Sequence, residues 1–381
     1  PFFLYYAPGA THAPHQVEKQ WSDPYQGKFD DGWDRYREKV FARQKKLGVI
    51  PANTVLPDPS PNIKAWQALS PDERKLYARF MEVYAGFLTY TDYEIGRVVK
   101  HLKEINQYDN TLIFVIVGDN GASKEGTLNG NVDRSLFAQP LSEADNIKYN
   151  LAKIDALGTP DATEDNYPLG WAQAANTPFR QWKSDANSEG GTRNPLIVSY
   201  PKGIKAAGGI RNQYGHVIDI LPTTLEVVGI QAPKQIRGIE QDDIEGISLA
   251  YSIDDAKAAS RHKVQYYYIF GSRAIYEDGW KAALPYPSPL AGLKTESGKP
   301  FDENAWELYN LNEDYTERVD LAKKHPEKLA QLKALFDAEA RKHNLYPLIT
   351  WDDVLNRRIH RSPDSRSFAE EGEKLHKQPE R

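Results

Sequence analysis

The 381-residue chain contains no cysteine, which excludes disulfides, thiolate metal sites and cysteine nucleophiles but does not identify a compartment. It has no apolar run long enough to span a membrane, so we expect no membrane partner. It also lacks a basic run, and its formal net charge is −5. We therefore expect no nucleic-acid partner and no other polyanionic partner.

The composition is that of an ordinary globular protein, with 40% hydrophobic and 27% charged residues. We predict an α/β fold in which residues 1–260 form a mostly parallel sheet sandwiched by helices. Residues 261–355 are predicted to form a small α+β subdomain with an antiparallel sheet, and residues 356–381 a charged tail. Because the chain starts without Met inside a predicted strand, residues 2–6, we expect that a preceding segment is missing.

Apolar periodicity and capping residues predict the individual elements. A long helix is expected to begin at Ser70, because Pro71 suits the first helical position and Glu73 completes a capping box. Residues 111–117 are rich in branched and aromatic side chains, which predicts a strand buried on both faces in a parallel sheet. The other predicted elements are strands at 195–200, 264–270, 273–277 and 280–284, and helices at 217–229 and 326–343.

The tetrapeptide Gly118-Asp119-Asn120-Gly121 follows the predicted strand at 111–117 directly. In α/β enzymes the carboxyl end of such a strand opens into the crevice that holds the chemistry. Asp119 and Asn120 offer a carboxylate and an amide carbonyl, the hard oxygen ligands that Ca²⁺ or Mg²⁺ prefers. The sequence therefore predicts Asp119 and Asn120 as metal ligands, with a simple Asp-Asn-Gly turn as the alternative.

Further polar residues are candidates for catalysis. His12 follows the predicted strand at residues 2–6 and could donate a proton near neutral pH, and His15 competes for the same role. Lys183 precedes a glycine pair and could supply a positive charge for an anion. An exposed loop histidine and an ordinary surface lysine are the alternatives. The pair formed by Asp219 and the histidine three residues before it is expected to be structural.

These motifs occur in a fixed order along the chain. They are His-x-Pro at His12, Gly-Asp-Asn-Gly at Gly118, a lysine at Lys183 before Glu-Gly-Gly-x-Arg-x-Pro, His-x-x-Asp-x-x-Pro-Thr at His216, and Trp-Glu-Leu-Tyr-Asn-Leu at Trp306. The ordered set resembles the sulfatase family, most closely bacterial-type arylsulfatases, over nearly all of the chain before the charged tail. The resemblance implies an alkaline-phosphatase-like fold and a sulfuric ester hydrolase that cleaves a sulfate monoester.

The resemblance also implies roles for individual residues. Asp119 and Asn120 match the family's second pair of ligands to a divalent cation, usually Ca²⁺, with Mg²⁺ as the alternative. His12 matches the histidine that faces the bridging ester oxygen and assists departure of the alcohol. Lys183 matches the lysine that contacts the sulfate oxygens and the leaving oxygen. Such groups stabilise the charge that develops on the bridging oxygen as the S–O bond breaks.

The chain departs from the family at the nucleophile. The family carries Cys/Ser-x-Pro-x-Arg, whose first residue becomes formylglycine, and an early Asp-Asp pair that completes the metal site. The nucleophile motif is absent, because Ser70-Pro71 and Ser362-Pro363 lack the intervening residue and Asn176-Thr177-Pro178-Phe179-Arg180 begins with an amide. The resemblance places both motifs before the strand predicted at residues 2–6, so neither is expected within this chain. We therefore expect formylglycine only in a missing N-terminal part, and we expect this chain alone not to hydrolyse sulfate esters.

The leaving group and the function class have open alternatives. Residues 122–180, with Tyr149, Tyr167 and Trp171, could form an aromatic rim suited to an aryl or sugar sulfate, or could be packing residues. A phosphonate or phosphate ester hydrolase of the same superfamily is one alternative function. A non-catalytic binding or structural module, in which the Asp-Asn pair only closes a loop, is the other.

Overall fold

The computed structural model describes residues 1–138, 141–286, 305–351 and 353. The α-helices are α1 Lys19–Ser22, α2 Gly32–Leu47, α3 Pro71–Glu104, α4 Ser135–Ala138, α5 Glu143–Ala152, α6 Leu169–Ala175, α7 Glu189–Thr192, α8 Ile220–Val228, α9 Ala250–Ile253 and α10 Pro326–Lys342. The strands are β1 Ile113–Ile116, β2 Leu196–Ser199, β3 Gln235–Ile236, β4 Ile239–Glu240, β5 Val264–Ile269, β6 Ser272–Glu277, β7 Trp280–Leu284 and β8 Glu307–Asn310. Short 3₁₀ helices lie at Asp23–Tyr25, Trp66–Ala68, Tyr108–Asn110, Ile154–Ala156 and Val217–Asp219. None of the helices in these described ranges combines the length and apolar content that a membrane span needs.

The long helix α3 has the predicted start. Ser70 Oγ accepts a hydrogen bond from the Glu73 backbone N–H at 3.2 Å, and Glu73 Oε2 accepts one from the Ser70 backbone N–H at 2.7 Å. This capping box satisfies N–H groups that the start of a helix otherwise leaves unpaired. The helix then runs unbroken to Glu104, and β1 follows it.

An aromatic core forms where α2, α3 and α6 meet. Trp171 of α6 is fully buried, and its ring centroid lies 5.9 Å from that of Trp33 and 5.7 Å from that of Trp66. The Trp171 Nε1–H donates to the Tyr77 carbonyl at 2.8 Å, so its polar atom is satisfied. Burying one aromatic ring removes roughly 150–250 Å² from water, which corresponds to about 4–6 kcal/mol of hydrophobic stabilisation.

This packing decides between the two alternatives, substrate rim or packing, for two of the aromatic residues in residues 122–180. Trp171 is fully buried and Tyr167 is 3% exposed, so both are packing residues. Tyr149 is half-buried, and its hydroxyl donates to the Asp133 carboxylate. The sequence did not separate the two roles, because large aromatic side chains serve equally in a core and at a ligand site.

The strand predicted at residues 111–117 is present as β1, but its pairing differs from the prediction. β1 pairs antiparallel with β2, with Ile113 opposite Ser199 and Ile116 opposite Leu196. The side chains of Ile116 and Leu196 are 47% and 38% exposed, so this ribbon is not buried on both faces. An unbroken apolar run identifies a hydrophobic strand, but it does not give the direction of the neighbouring strand.

The prediction of a strand at residues 2–6 was wrong. These residues have no regular secondary structure, and Phe3 and Tyr5 are 86% and 82% exposed. A strand needs a neighbour for its backbone hydrogen bonds, and none of the described strands pairs with this segment. The apolar pattern reports the side chains of a segment and not whether a partner strand lies beside it.

The predicted C-terminal antiparallel sheet and its helix are confirmed, and with them the mixed α/β class. Strands β5 to β8 pair in sequence order, each antiparallel to the next. Ile275, Ala282 and Leu308 form one row across β6, β7 and β8, and this apolar face packs against α10. The charged tail predicted at residues 356–381 lies outside the described residues, and the boundary predicted between residues 260 and 261 stays a prediction.

Asp219 fixes the start of the 3₁₀ helix at Val217–Asp219, directly before α8, in agreement with its structural interpretation. Its fully buried carboxylate accepts from the His216 N–H at 2.8 Å and from the Ile247 N–H at 2.7 Å. The same carboxylate lies 2.8 Å from His262 Nδ1. Burial alone would lower the pKa of His262, but the hydrogen bond and charge of Asp219 outweigh burial and raise it. Burial alone would raise the pKa of Asp219, but His262 and the two N–H donors outweigh burial and lower it.

Candidate functional site

Residues 118–121 form a loop at the end of β1, and its two glycines have separate causes. Gly118 has φ +81°, a left-handed conformation that residues with side chains rarely adopt. A Cβ at Gly121 would lie 1.8 Å from the Gly190 carbonyl oxygen, so only glycine permits this approach. Between the glycines, Asp119 is exposed and Asn120 is half-buried. The loop therefore presents its two polar side chains from a backbone that glycine makes possible.

The segment at residues 190–195, which runs from α7 to the start of β2, holds this loop. The main-chain bonds run from the Val117 N–H to the Pro195 carbonyl at 3.0 Å and from the Gly121 N–H to the Gly191 carbonyl at 3.1 Å. A side chain of the same segment also holds the motif. The Asn194 amide donates to the Asn120 carbonyl at 3.0 Å and accepts from the Asn120 N–H at 3.1 Å. The orientation of the motif thus depends on a segment that is remote in sequence.

Lys183 lies on a constrained loop beside the motif. Its neighbours Gln181 and Ser184 have φ of +61° and +74°, which are uncommon for residues with side chains. The Lys183 N–H donates to the Ala122 carbonyl at 3.0 Å, and the Ala122 N–H donates to Asn176 Oδ1 at 2.8 Å. Sparsely populated conformations persist where surrounding contacts maintain them, and they cluster at functional sites. The backbone around Lys183 is therefore fixed to the loop that carries the Asp-Asn pair.

The two side chains predicted to be catalytic meet in the structure. His12 Nε2 lies 3.1 Å from Lys183 Nζ, across 171 residues of sequence. His12 Nδ1 lies 2.7 Å from the Ala13 carbonyl oxygen, which only accepts hydrogen bonds, so Nδ1 carries the proton. Nε2 is then the acceptor for the Lys183 ammonium. The His12 side chain is 65% exposed, so a ligand can reach the imidazole from solvent.

Glu125 adds a carboxylate to this pair. Its Oε2 lies 2.7 Å from Lys183 Nζ and 3.9 Å from His12 Nε2. Ser123 Oγ donates to the same oxygen at 3.3 Å, which restrains the carboxylate. The sequence analysis missed Glu125, although an acidic residue in the loop that follows the Asp-Asn motif was an available signal. The resulting cluster brings one lysine amine, one carboxylate and one imidazole together.

His15, the competing candidate, lies in the core. It is 1% exposed, and its ring stacks on that of Tyr167 with centroids 5.4 Å apart. Burial, with the nearby His12, lowers the pKa of His15 to about 3, so this imidazole is neutral at neutral pH. A buried, neutral ring cannot donate a proton to a ligand at the surface, and His12 is the better candidate.

Asp119 and Asn120 are the predicted ligands of a divalent cation. Within the part of the chain that the structure describes, the Asp119 carboxylate has no hydrogen-bond or ion-pair partner. Asn120 Nδ2 donates to the Gly121 carbonyl at 2.9 Å, which leaves the amide oxygen available. Both are hard oxygen donors of the kind that Ca²⁺ or Mg²⁺ binds. The described ranges contain no group of three or more His, Asp or Glu side chains that could hold a metal ion. The pair therefore fits a divalent cation in the kind of its oxygen donors, and it would provide only two of the ligands.

The structure does not join all four predicted site residues directly. Among the described contacts, no hydrogen bond or ion pair links Asp119 or the Asn120 side chain to His12 or Lys183. The connection is the main-chain bond from Lys183 to Ala122, in the stretch that continues the motif. The roles of the four residues stay predictions, but the backbone places them on neighbouring loops.

Family models match nearly the whole chain. The Sulfatase model matches residues 1–230, and the model for the C-terminal part of N-sulphoglucosamine sulphohydrolase matches residues 186–342. An uncharacterized sulfatase of Schizosaccharomyces pombe is 34% identical over 335 residues, which are 87% of this chain and 56% of the relative. An arylsulfatase of Klebsiella aerogenes is 29% identical over 262 residues, which are 68% of this chain and 53% of the relative. The chain thus spans about half the length of these curated relatives.

A solved structure shares the fold. The crystal structure of Ps i-CgsB matches with a TM-score of 0.52 and 20% identity, covering 96% of this chain and 55% of that chain. At this identity the likeness concerns the fold alone, and it agrees with the alkaline-phosphatase-like architecture predicted from the sequence. The Sulfatase model, which covers residues 1–230, extends over more than half of the 381 residues. The chain belongs to the sulfatase family.

Proposed function

We propose that this chain carries the leaving-group side of a sulfatase active site and part of its cation site, for the hydrolysis of a sulfate monoester. The observation that carries the proposal is the 3.1 Å contact between His12 Nε2 and Lys183 Nζ. These are the two residues that the family resemblance assigns to the bridging oxygen of the ester. Family membership and the similarity to an arylsulfatase support sulfate esters as the substrate class.

The pair has the chemistry to assist departure of an alcohol. Cleavage of the S–O bond leaves negative charge on the bridging oxygen, and fixed N–H donors beside that oxygen stabilise the transition state. Lys183 Nζ supplies a fixed positive charge, and His12 Nε2 supplies a proton when the imidazole is doubly protonated. Glu125, 2.7 Å from Lys183 Nζ, offsets the repulsion between these two cations.

We assign the divalent cation to Asp119 and Asn120, with Ca²⁺ expected from the family resemblance and Mg²⁺ as the alternative. When bound, such an ion neutralises the non-bridging oxygens of the sulfate. Residues 190–195 set the direction of these two ligands, because they hold the motif backbone through Asn194 and Gly191. Since Ca²⁺ takes about six to eight oxygen ligands, further ligands have to come from outside this pair.

The proposed nucleophile, formylglycine, has no precursor among the 381 residues. The sequence has no cysteine and no Ser-x-Pro-x-Arg from which this aldehyde could form. We therefore propose that formylglycine serves the whole sulfatase and that this chain by itself does not turn over sulfate esters. Ligand binding can still test the roles of His12, Lys183 and Asp119.

Sulfate binding tests the His12 and Lys183 pair without requiring turnover. We expect titration with sodium sulfate to shift the His12 ring signals saturably in ¹H–¹³C spectra, because positive N–H donors face the anion. Lys183→Met should weaken this binding by roughly tenfold or more, since it removes a charge-assisted hydrogen bond. Lys263→Met is the matched control, because it removes an exposed lysine that pairs with Asp278 at 2.6 Å. Absence of any His12 shift, or equal weakening in both variants, would favour the non-catalytic module.

Turnover tests the missing nucleophile. With purified chain, Ca²⁺ and an aryl sulfate, we expect no hydrolysis above the uncatalysed rate. Clear turnover that Asp119→Ala destroys would mean that these 381 residues hold a complete active site. Turnover of an aryl phosphonate or phosphate instead would favour the related hydrolase as the function.

A further inference from the structure

A buried group of charges joins the antiparallel sheet to the functional site. Lys281 of β7 is fully buried, and its Nζ lies 2.9 Å from Glu189 Oε1 and 2.9 Å from Glu317 Oε1. Arg193 Nε lies 2.7 Å from the other carboxylate oxygen of Glu189. Lys281 and the two carboxylates therefore share one buried region, with the half-buried Arg193 at its edge, and we name these four residues the Lys281 cluster.

The sheet turns Lys281 away from α10. Lys281 stands opposite Tyr276 of β6 and Tyr309 of β8 in one cross-strand row. The adjacent row packs on α10, and side chains alternate between the faces of a strand, so Lys281 points to the face that meets α7. A lysine is seldom fully buried without a paired charge, so its presence in this row reflects the carboxylates that it meets.

Two members of the cluster, Lys281 and Glu189, are held in their charged forms. Burial alone would lower the pKa of Lys281, but the charges of Glu189 and Glu317 outweigh burial and raise it. Burial alone would raise the pKa of Glu189, but Arg193 and Lys281 outweigh burial and lower it. Buried ion pairs add little net stability, because both partners lose their hydration. Stability alone therefore does not account for a charged cluster at this position.

The cluster fixes the start of α7. Glu317 Oε2 accepts a hydrogen bond from Ser188 Oγ at 2.7 Å and another from the Glu189 N–H at 2.9 Å. Glu317 itself has φ +56°, a strained value that its contacts maintain. The Glu317 carboxylate thus bonds Ser188 and Glu189, the residues on either side of the α7 start, and it links them to Lys281 of the sheet.

The next two carbonyls of α7 face the functional site. The Gly190 carbonyl accepts from Asn176 Nδ2 at 2.5 Å, and the Gly191 carbonyl accepts from the Gly121 N–H at 3.1 Å. Asn176 also holds the main chain to which Lys183 is bonded. A displacement of α7 would therefore move residues 118–121 and the loop that carries Lys183 together.

We propose that Glu189, Lys281 and Glu317 are positioning residues of the sulfatase site, which fix α7 on the antiparallel sheet and thereby hold residues 118–121 and Lys183 in place. The proposal rests on the proposed function for the roles of that loop and that lysine. It gives the C-terminal sheet a part in the site, although no described contact joins a residue of β5 to β8 to His12 or Lys183.

Hydrogen–deuterium exchange of the whole chain, read by mass spectrometry, tests the proposal. Lys281→Met leaves two buried carboxylates without their shared cation, so we expect exchange in residues 119–123 and 182–186 to become roughly tenfold faster. Exchange in residues 76–84 of α3, in the aromatic core, should change by less than about twofold. Lys328→Met is the matched control, since it removes a lysine of α10 that pairs with Glu277 of β6 at 2.6 Å, and it should change neither site segment.

Glu317→Gln is the second variant, and it decides the matter if Lys281→Met does not fold. This isosteric change should accelerate the same two segments by a smaller factor. Unchanged exchange in both segments, or equal acceleration in α3, overturns the proposal. The exchange measurement needs neither metal nor substrate, so its result is independent of the sulfate titration. If sulfate does not shift the His12 signals, that result refutes the proposed function but not the positioning role of the three residues.

Discussion

Gly121→Ala is a direct perturbation of the loop that presents Asp119. The added Cβ would lie 1.8 Å from the Gly190 carbonyl oxygen and 2.9 Å from Asn176 Nδ2, both far inside normal contact distance. The Gly190 carbonyl belongs to the backbone of α7 and cannot rotate away as a side chain would. The loop has to move, and the 3.1 Å hydrogen bond from the Gly121 N–H to the Gly191 carbonyl has to lengthen or break.

Overpacking costs about 1–3 kcal/mol and loss of a buried main-chain hydrogen bond about 1 kcal/mol more, so we expect the free energy of unfolding to fall by about 2–4 kcal/mol. Urea unfolding followed by circular dichroism measures this change. Gly96→Ala in α3 is the matched control, because its Cβ meets nothing within 4 Å. In a helix interior that change should stabilise by about 0.5–1 kcal/mol. A Gly121→Ala loss below about 0.5 kcal/mol would refute the contact geometry.

Two further predictions concern pH. Burial raises the pKa of Asp165 from 3.8 to about 8, so folding loses stability as pH rises through this interval. Asp165→Asn can still accept from the Gly158 N–H, so urea unfolding should find it more stable than the parent near about pH 9, with the gain shrinking near about pH 4. Asp219 raises the pKa of His262, so their pairing stabilises fully below about pH 6.5 and fades as pH rises through the higher folded pKa. His262→Gln should therefore lose more stability near about pH 6 than near about pH 10, and an equal loss at both would contradict the pairing.

Elements with local signals were predictable from the sequence. The capping box at Ser70 and the tight turns between β5, β6 and β7 depend on residues close together in the chain, and the structure has both. Strand pairing was not predictable in the same way. The direction of β2 beside β1, and the lack of a partner for residues 2–6, depend on which segments meet in space.

The candidate site shows the same division. His12 and Lys183 were nominated by family order and by residue type, and their 3.1 Å contact could not be derived from their spacing. Glu125 and Asn194 were missed, because a carboxylate in a polar loop and an asparagine before a proline have many ordinary roles. Only the folded backbone brings Glu125 to Lys183 and Asn194 to the motif.

The β1–β2 ribbon is a predicted site of association between copies of the protein in concentrated solution. Within the described residues these strands pair only with each other, so each has an outer edge of backbone N–H and C=O groups without a ladder partner. Ile116, Val117 and Ile197 are 47%, 45% and 55% exposed beside these edges. Apolar edges of this kind recruit strands from other molecules. The loop at residues 118–121 follows β1 directly, so pairing of a strand from another molecule with β1 would act on the same short stretch of chain that carries the predicted cation ligands Asp119 and Asn120.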